Sequence, residues 1–164
     1  MLYQQLSFYK LTWIPKHFNT MALKDISFFT EDTDYKIKDK QKIRQWVGAT
    51  VTAEGFDRIG DLNLIFCSDT YLLAINKQYL RHDTYTDIVT FDSSEEDHVI
   101  AGDIFISVER TAENALKFGV SERDELHRVI IHGILHLCGY LDKKKEDKEL
   151  MTARENEYLS KRAF

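Results

Sequence analysis

The stretch "IIHGILHLCGYLDKKK", Ile130 to Lys145, sets His132 and His136 four residues apart and follows them with Cys138, Gly139, Asp142 and three lysines. On a helix that spacing leaves the two rings about 40° apart around the axis and one turn apart along it, so both project from one face. This is the geometry of a two-histidine metal clamp. Gly139 lets the chain turn, and Asp142 can then come back as a third ligand. The skeleton H-x3-H-x2-G-x2-D is one by which zinc hydrolases gather three ligands from a helix and the turn after it. Three protein ligands leave a position for water, which a divalent ion acidifies towards neutral pH.

The competing reading is a buried helix that happens to carry histidines. Ile131, Ile134, Leu135 and Leu137 make this helix largely buried, and buried imidazoles need polar partners. With Gly139 and Asp142 at their offsets, a metal is the favoured partner. A metalloprotease would carry Glu, its general base, directly after the first His; here that residue is Gly133. Non-haem iron enzymes share the two-His, one-carboxylate set, but no other feature of the chain pairs with oxygen or an oxidisable cosubstrate. Cys138 reads as packing rather than as a ligand.

The elements that must hold these residues alternate between strand and helix. Strands are expected at Asp25–Glu31, Asp61–Asp69, Thr86–Asp92 and His98–Ser107, the last two neighbours across the polar "SSEED" loop. Helices are expected over Lys38–Glu54, over "SDTYLLAINKQYL", over "VERTAENALKFG" closed by Gly119, from Ser121 to about Cys138, and from Lys145 to about Arg162. Ser121 caps the fourth of these, with Asp124 completing a weak capping box. The last is expected to pack through Leu150, Met151, Tyr158 and Leu159. The fold class is α/β or α+β, a small mixed four-stranded sheet packed with about five helices.

The chain has 164 residues, 43% of them hydrophobic and 30% charged, which suits a single globular domain with one substantial core. The first twenty residues make a poor signal peptide. The folded domain is expected to span 21–164, with 1–20 as a leader that is either loosely attached or upstream of the true start. No apolar run approaches the roughly 20 residues that cross a bilayer, so no membrane partner is expected. A formal charge of −5 disfavours indiscriminate nucleic-acid binding but leaves room for a local basic groove. Cys67 and Cys138, inside apolar segments, read as reduced core residues of a cytoplasmic protein.

"HGILHLCGYLD" resembles the H-G-x-L-H-L-x-G-Y-D-H motif of the YbeY family of bacterial metallo-endoribonucleases. "INKQYLRHDTYTDIVTF" (Ile75–Phe91) is similar to that family's L-N-x-x-Y-R-x-x-D-x-P-T-D-V-L-S-F segment, and "GDIFIS" (Gly102–Ser107) to its G-D-I-x-I-S. Three blocks in the same order, over most of Met21 to Glu157, make the likeness specific. It implies an α/β fold with the metal helix against the sheet, single-strand-specific RNA cleavage, maturation of the 16S rRNA 3′ end and a part in ribosome quality control. Two positions depart from the pattern. Asp142 stands where the family has its third metal His and Leu141 where it has Asp, so Asp142 is either the third ligand or an outer partner. The family Arg falls on Leu80, with Arg81 beside it, and one residue of shift turns a helical side chain by about 100°.

The expected site is therefore His132, His136 and Asp142 holding one Zn2+, or another divalent ion. Arg81 and Asp103 stand as catalytic candidates, and Arg128, Lys143 and Lys144 as contacts for RNA. Asp87 and Asp103, beside apolar strands, read as carboxylates that cap a turn or orient the histidines. Glu125 lies two turns before His132 on the same face, about 10 Å away, as a channel residue. His127 reads as a surface or interface residue. The partners expected are single-stranded ribosomal RNA and the small ribosomal subunit or its proteins. The non-enzymatic alternative is an assembly factor whose metal merely pins the helix turn, and which would close the site with a fourth ligand.

Overall fold

A computed structural model describes residues 25–164; the leader 1–20 and the boundary at Met21 lie outside them. The strands β1 (Ile26–Glu31), β2 (Arg58–Cys67), β3 (Ile88–Asp92) and β4 (Val99–Ser107) form one sheet in the order β1-β2-β4-β3. The first three in that order run parallel, and β3 closes one edge antiparallel to β4. The neighbouring pair anticipated across the "SSEED" loop is thus present.

The alternation along each strand sorts residues to two faces. Ile100, Gly102, Ile104 and Ile106 of β4 share a face with Leu62, Leu64 and Phe66 of β2, and this face carries the main core. On it lie α1 (Lys40–Ala53), which buries Ile43, Trp46, Val47 and Val51, and α4 (Glu122–Leu137). The other face carries a smaller cluster of Cys67, Leu72 and Val89 under α2 (Asp69–Ile75), with Phe91 and Phe105 packed against it. The expected single helix from Ser68 to Leu80 is in fact α2 followed by a π-helical turn, Asn76–Leu80, that ends on Arg81 in the left-handed conformation at φ 58°. Asn76, at the start of that turn, is buried, and its side-chain amide donates to the Thr84 carbonyl at 2.8 Å.

Ser68, Ser107 and Ser121 cap α2, α3 (Val108–Phe118) and α4, each hydroxyl accepting from an amide three residues on. The final helix, α5 (Lys145–Ser160), packs through Met151 and Tyr158. Leu150, expected to join them, is 52% exposed: it precedes Met151 by one residue, about 100° around the helix. Among the described residues no helix is long and apolar enough to cross a membrane.

Candidate metal centre

Helix α4 is pressed onto the sheet at Gly133, where a Cβ would sit 2.8 Å from both Ile104 Cγ2 and Ile88 Cδ1. A side chain there would force those isoleucines or the helix to shift, so packing favours glycine directly after His132. With Gly133 against the sheet, His132 and His136 project to one side, where α5 and the turn after α4 meet them. Their Nε2 atoms are 2.9 Å apart, and Asp142 Oδ2 lies 3.6 Å from each. Gly139, at φ 95°, makes the turn that brings Asp142 back.

Both rings are held from behind. His132 Nδ1 lies 2.8 Å from Glu155 Oε1 on α5. His136 Nδ1 donates to the Tyr140 carbonyl at 2.9 Å. Each ring thus keeps its proton on Nδ1 and turns an Nε2 lone pair to the shared point. Tyr140 is itself fixed, its hydroxyl donating to Glu54 at the end of α1 at 2.8 Å, and Tyr158 donates to the same carboxylate. Glu155 also accepts from Arg128 Nη1 at 2.9 Å.

The electrostatics of the two rings differ. Burial pulls the His132 imidazole down, but the Glu155 carboxylate, with Asp142 and Asp87 beyond it, outweighs this and leaves it raised. Burial, then the neighbouring His132, lowers His136. Burial pushes the Cys138 thiol up to about 12, and the residue packs against the main core.

A tetrahedral ion with N and O ligands at about 2.0–2.2 Å has ligand atoms roughly 3.3–3.5 Å apart. The three donor atoms here bracket that spacing, and an imidazole pair with one carboxylate is a donor set that takes zinc or another divalent ion. The residues fit. Asp142 is 40% exposed at its side chain, so the cluster opens to solvent on that side. Among the described residues His132, His136 and Asp142 are the complete group of His, Cys, Asp or Glu donors at this point.

The remaining sequence candidates scatter. Asp103 alternates with Gly102 and Ile104, so it faces away from α4; its Oδ1 accepts from Asn63 Nδ2 at 2.8 Å on the far side of the sheet. Arg128 is engaged by Glu155 and by Asn156 Oδ1, so its guanidinium serves α5 before any ligand. Arg81 is exposed in its left-handed turn. Lys143 and Lys144 are exposed directly after Asp142. Asp87 accepts from Asn114 Nδ2 at 3.1 Å, and its carbonyl accepts from the Ser107 amide. His127, expected as a surface or interface residue, is instead in the core, 3% exposed between Trp46 and Phe164, where its Nδ1 accepts from Arg162. Glu155 and Glu54, which hold the site from behind, were not anticipated; each belongs to a helix whose approach no local spacing encodes.

A small mixed sheet whose helix presents two imidazoles, and the turn after it a carboxylate, to one point defines a candidate metal-binding α+β domain. Residues 25–163 match the family described as Endoribonuclease YbeY, and the chain belongs to that family. The Endoribonuclease YbeY of Cytophaga hutchinsonii is 49% identical over 144 residues, 88% of this chain and 100% of that one. The protein of the same name from Bacteroides thetaiotaomicron is 44% identical over 84% of this chain and 98% of its own. A Thermotoga maritima protein solved in solution is 27% identical and superposes with a TM-score of 0.58, over 82% of this chain and 87% of that one.

Proposed function

We propose that this chain is a metal-dependent endoribonuclease of single-stranded RNA, acting in the cytoplasm on the 16S rRNA 3′ end in company with the small ribosomal subunit. The observation that carries the reading is the convergence of His132 Nε2, His136 Nε2 and Asp142 Oδ2, with each Nδ1 anchored by a separate partner. A divalent ion held there, with zinc the first choice, would supply Lewis acidity towards the phosphodiester and an acidified water. Glu155 and the Tyr140 carbonyl keep the two rings in the ligating tautomer and orientation. Lys143 and Lys144, exposed beside Asp142, neutralise phosphates of the bound strand. Arg81 is the cation assigned to charge on the pentacoordinate phosphate; Asp103, across the sheet, has no part in the chemistry. An open three-ligand cluster supports catalysis over a metal that only pins the turn, because a structural site closes its fourth position.

The test is cleavage of a labelled single-stranded rRNA 3′-end fragment by metal-loaded protein and by His136→Ala prepared identically. Cutting by the parent alone is expected. Equal traces from both, with metal bound only by the parent, would move the assignment to a non-catalytic assembly factor.

A further inference from the structure

A cavity of about 410 Å³ lies between the segment that follows β1, the start of α3 and the first turns of α4. It sits at the carboxyl ends of the parallel strands: Tyr35 and Ile37 follow β1, and Val108 and Ala112 follow β4. The Tyr35 ring also packs against Phe66 near the end of β2, 5.5 Å between centroids. The chain leaves β1 towards α1 on the main-core face and leaves β2 towards α2 on the opposite face. In open α/β sheets such a reversal opens a crevice at the strand ends, and small ligands bind there. His127 lines the cavity and precedes His132 by five residues, which turns it about 140° away around α4. A molecule held here is not at the metal centre.

The walls combine an apolar body, one fixed donor and a basic mouth. Ile37, Val108, Ala112 and Leu126 are the apolar part, and Tyr35, half-buried beside them, offers a ring for a base to lie against. Burial and the nearby guanidiniums keep the His127 imidazole neutral. Its Nδ1 lies 2.6 Å from Arg162 Nη1, which can only donate, so the ring proton sits on Nε2. Nε2 has no partner among the described residues and is not sealed from solvent, so this N–H opens to the cavity. At the mouth, Lys36 and Lys38 alternate with Tyr35 and Ile37 and are exposed. Asp39 beside them is taken by Lys42 and Arg123, which leaves the two lysines without an ion-pair partner among the described residues. A fitting ligand has a flat, largely apolar body with an acceptor at its edge, and an anionic end. We infer that the cavity binds a mononucleotide, its base accepting from His127 Nε2 and its phosphate held by Lys36 and Lys38. Glu122, beside Tyr35, is placed to accept from an exocyclic amine or a ribose hydroxyl. The site goes beyond the nuclease reading and does not depend on it.

The experiment is calorimetric titration of the metal-loaded full chain with AMP, GMP, CMP and UMP, each beside its nucleoside and beside inorganic phosphate. At least one mononucleotide is expected to bind, about tenfold or more tighter than its nucleoside, with no binding of phosphate alone. Ala112→Phe, which fills the cavity, is expected to abolish binding while metal affinity stays at the parent's value. The exposed pair Lys36→Glu and Lys38→Glu together is expected to weaken binding about tenfold or more. His136→Ala is expected to bind the nucleotide as the parent does. Failure of all four mononucleotides to bind overturns the inference, as does equal affinity for nucleotide and nucleoside. Binding that survives Ala112→Phe, or that is lost in His136→Ala, puts the nucleotide elsewhere and overturns it too. If Ala112→Phe does not fold, the lysine pair decides, and unchanged binding there overturns the site.

Discussion

Glu155 on α5 reaches across to α4 and places Oε1 2.8 Å from His132 Nδ1, while its other oxygen accepts from Arg128. The side chain is 9% exposed, so this carboxylate fixes an imidazole in a partly desolvated setting, as outer partners of metal ligands do. Glu155→Gln keeps the shape but removes the charge. Metal affinity measured by chelator competition should fall about 10- to 100-fold, with the secondary structure intact. An unchanged affinity would reduce Glu155 to a helix-packing residue.

Gly133 ties the position of the histidines to the sheet. In Gly133→Ala the added Cβ meets Ile104 and Ile88 side chains at 2.8 Å. Overpacking of this kind costs about 1–3 kcal/mol, and relief by lifting α4 would displace His132 and His136 together. Denaturant unfolding should show the loss, and metal titration should show weaker binding. A Gly133→Ala protein of parental stability would mean that Ile88, at the sheet edge, yields without moving the helix.

Why Gly133 was legible as a departure from the protease motif but not as a contact is a matter of range. The four strands, the capped helix and the His132, His136, Asp142 spacing all express periodicities within a few residues, and the structure has them close to their expected bounds. Pairings between distant elements carry no such signal. Glu155 follows His132 by 23 residues and Glu54 precedes Tyr140 by 86, so nothing local marks either. Asp103 was misplaced because both faces of β4 are covered, one by α4 and the other by the α2 layer. The alternation shows that Asp103 opposes Ile104, but not which of them α4 would meet.

His127 gives the fold a dependence on acid. Burial, with the Arg162 and Arg123 guanidiniums beside it, pushes its imidazole down to about 4, against an ordinary value of 6.5. The unfolded chain therefore binds the proton first as pH falls, and the stability this group contributes is fully present above about pH 6.5 and is lost towards pH 4. At about 1.4 kcal/mol per unit, and allowing for solvent at the edge of the ring, the loss is on the order of 2 kcal/mol. His127→Gln retains an acceptor for Arg162 and cannot titrate. The stability difference between parent and variant should change by that amount between pH 6.5 and 4; a constant difference would show that the ring charges without leaving its pocket.

The second arm of the site runs from α1 and is longer than the first. Glu54, 8% exposed at its side chain, accepts from the Tyr140 and Tyr158 hydroxyls, and the Tyr140 carbonyl in turn accepts from His136 Nδ1 at 2.9 Å. Tyr140→Phe deletes the hydroxyl while leaving the carbonyl, so His136 keeps its partner but loses the tether that fixes it. Glu54 loses one of two hydroxyl donors and keeps the other, which sets the stability cost at about 1 kcal/mol. Metal affinity should fall by less than in Glu155→Gln, because the tyrosine acts through its backbone and the glutamate touches the imidazole directly. Chelator competition on the two variants orders the arms, and a larger loss in Tyr140→Phe would make the turn after Gly139, rather than α5, the element that positions the ligands.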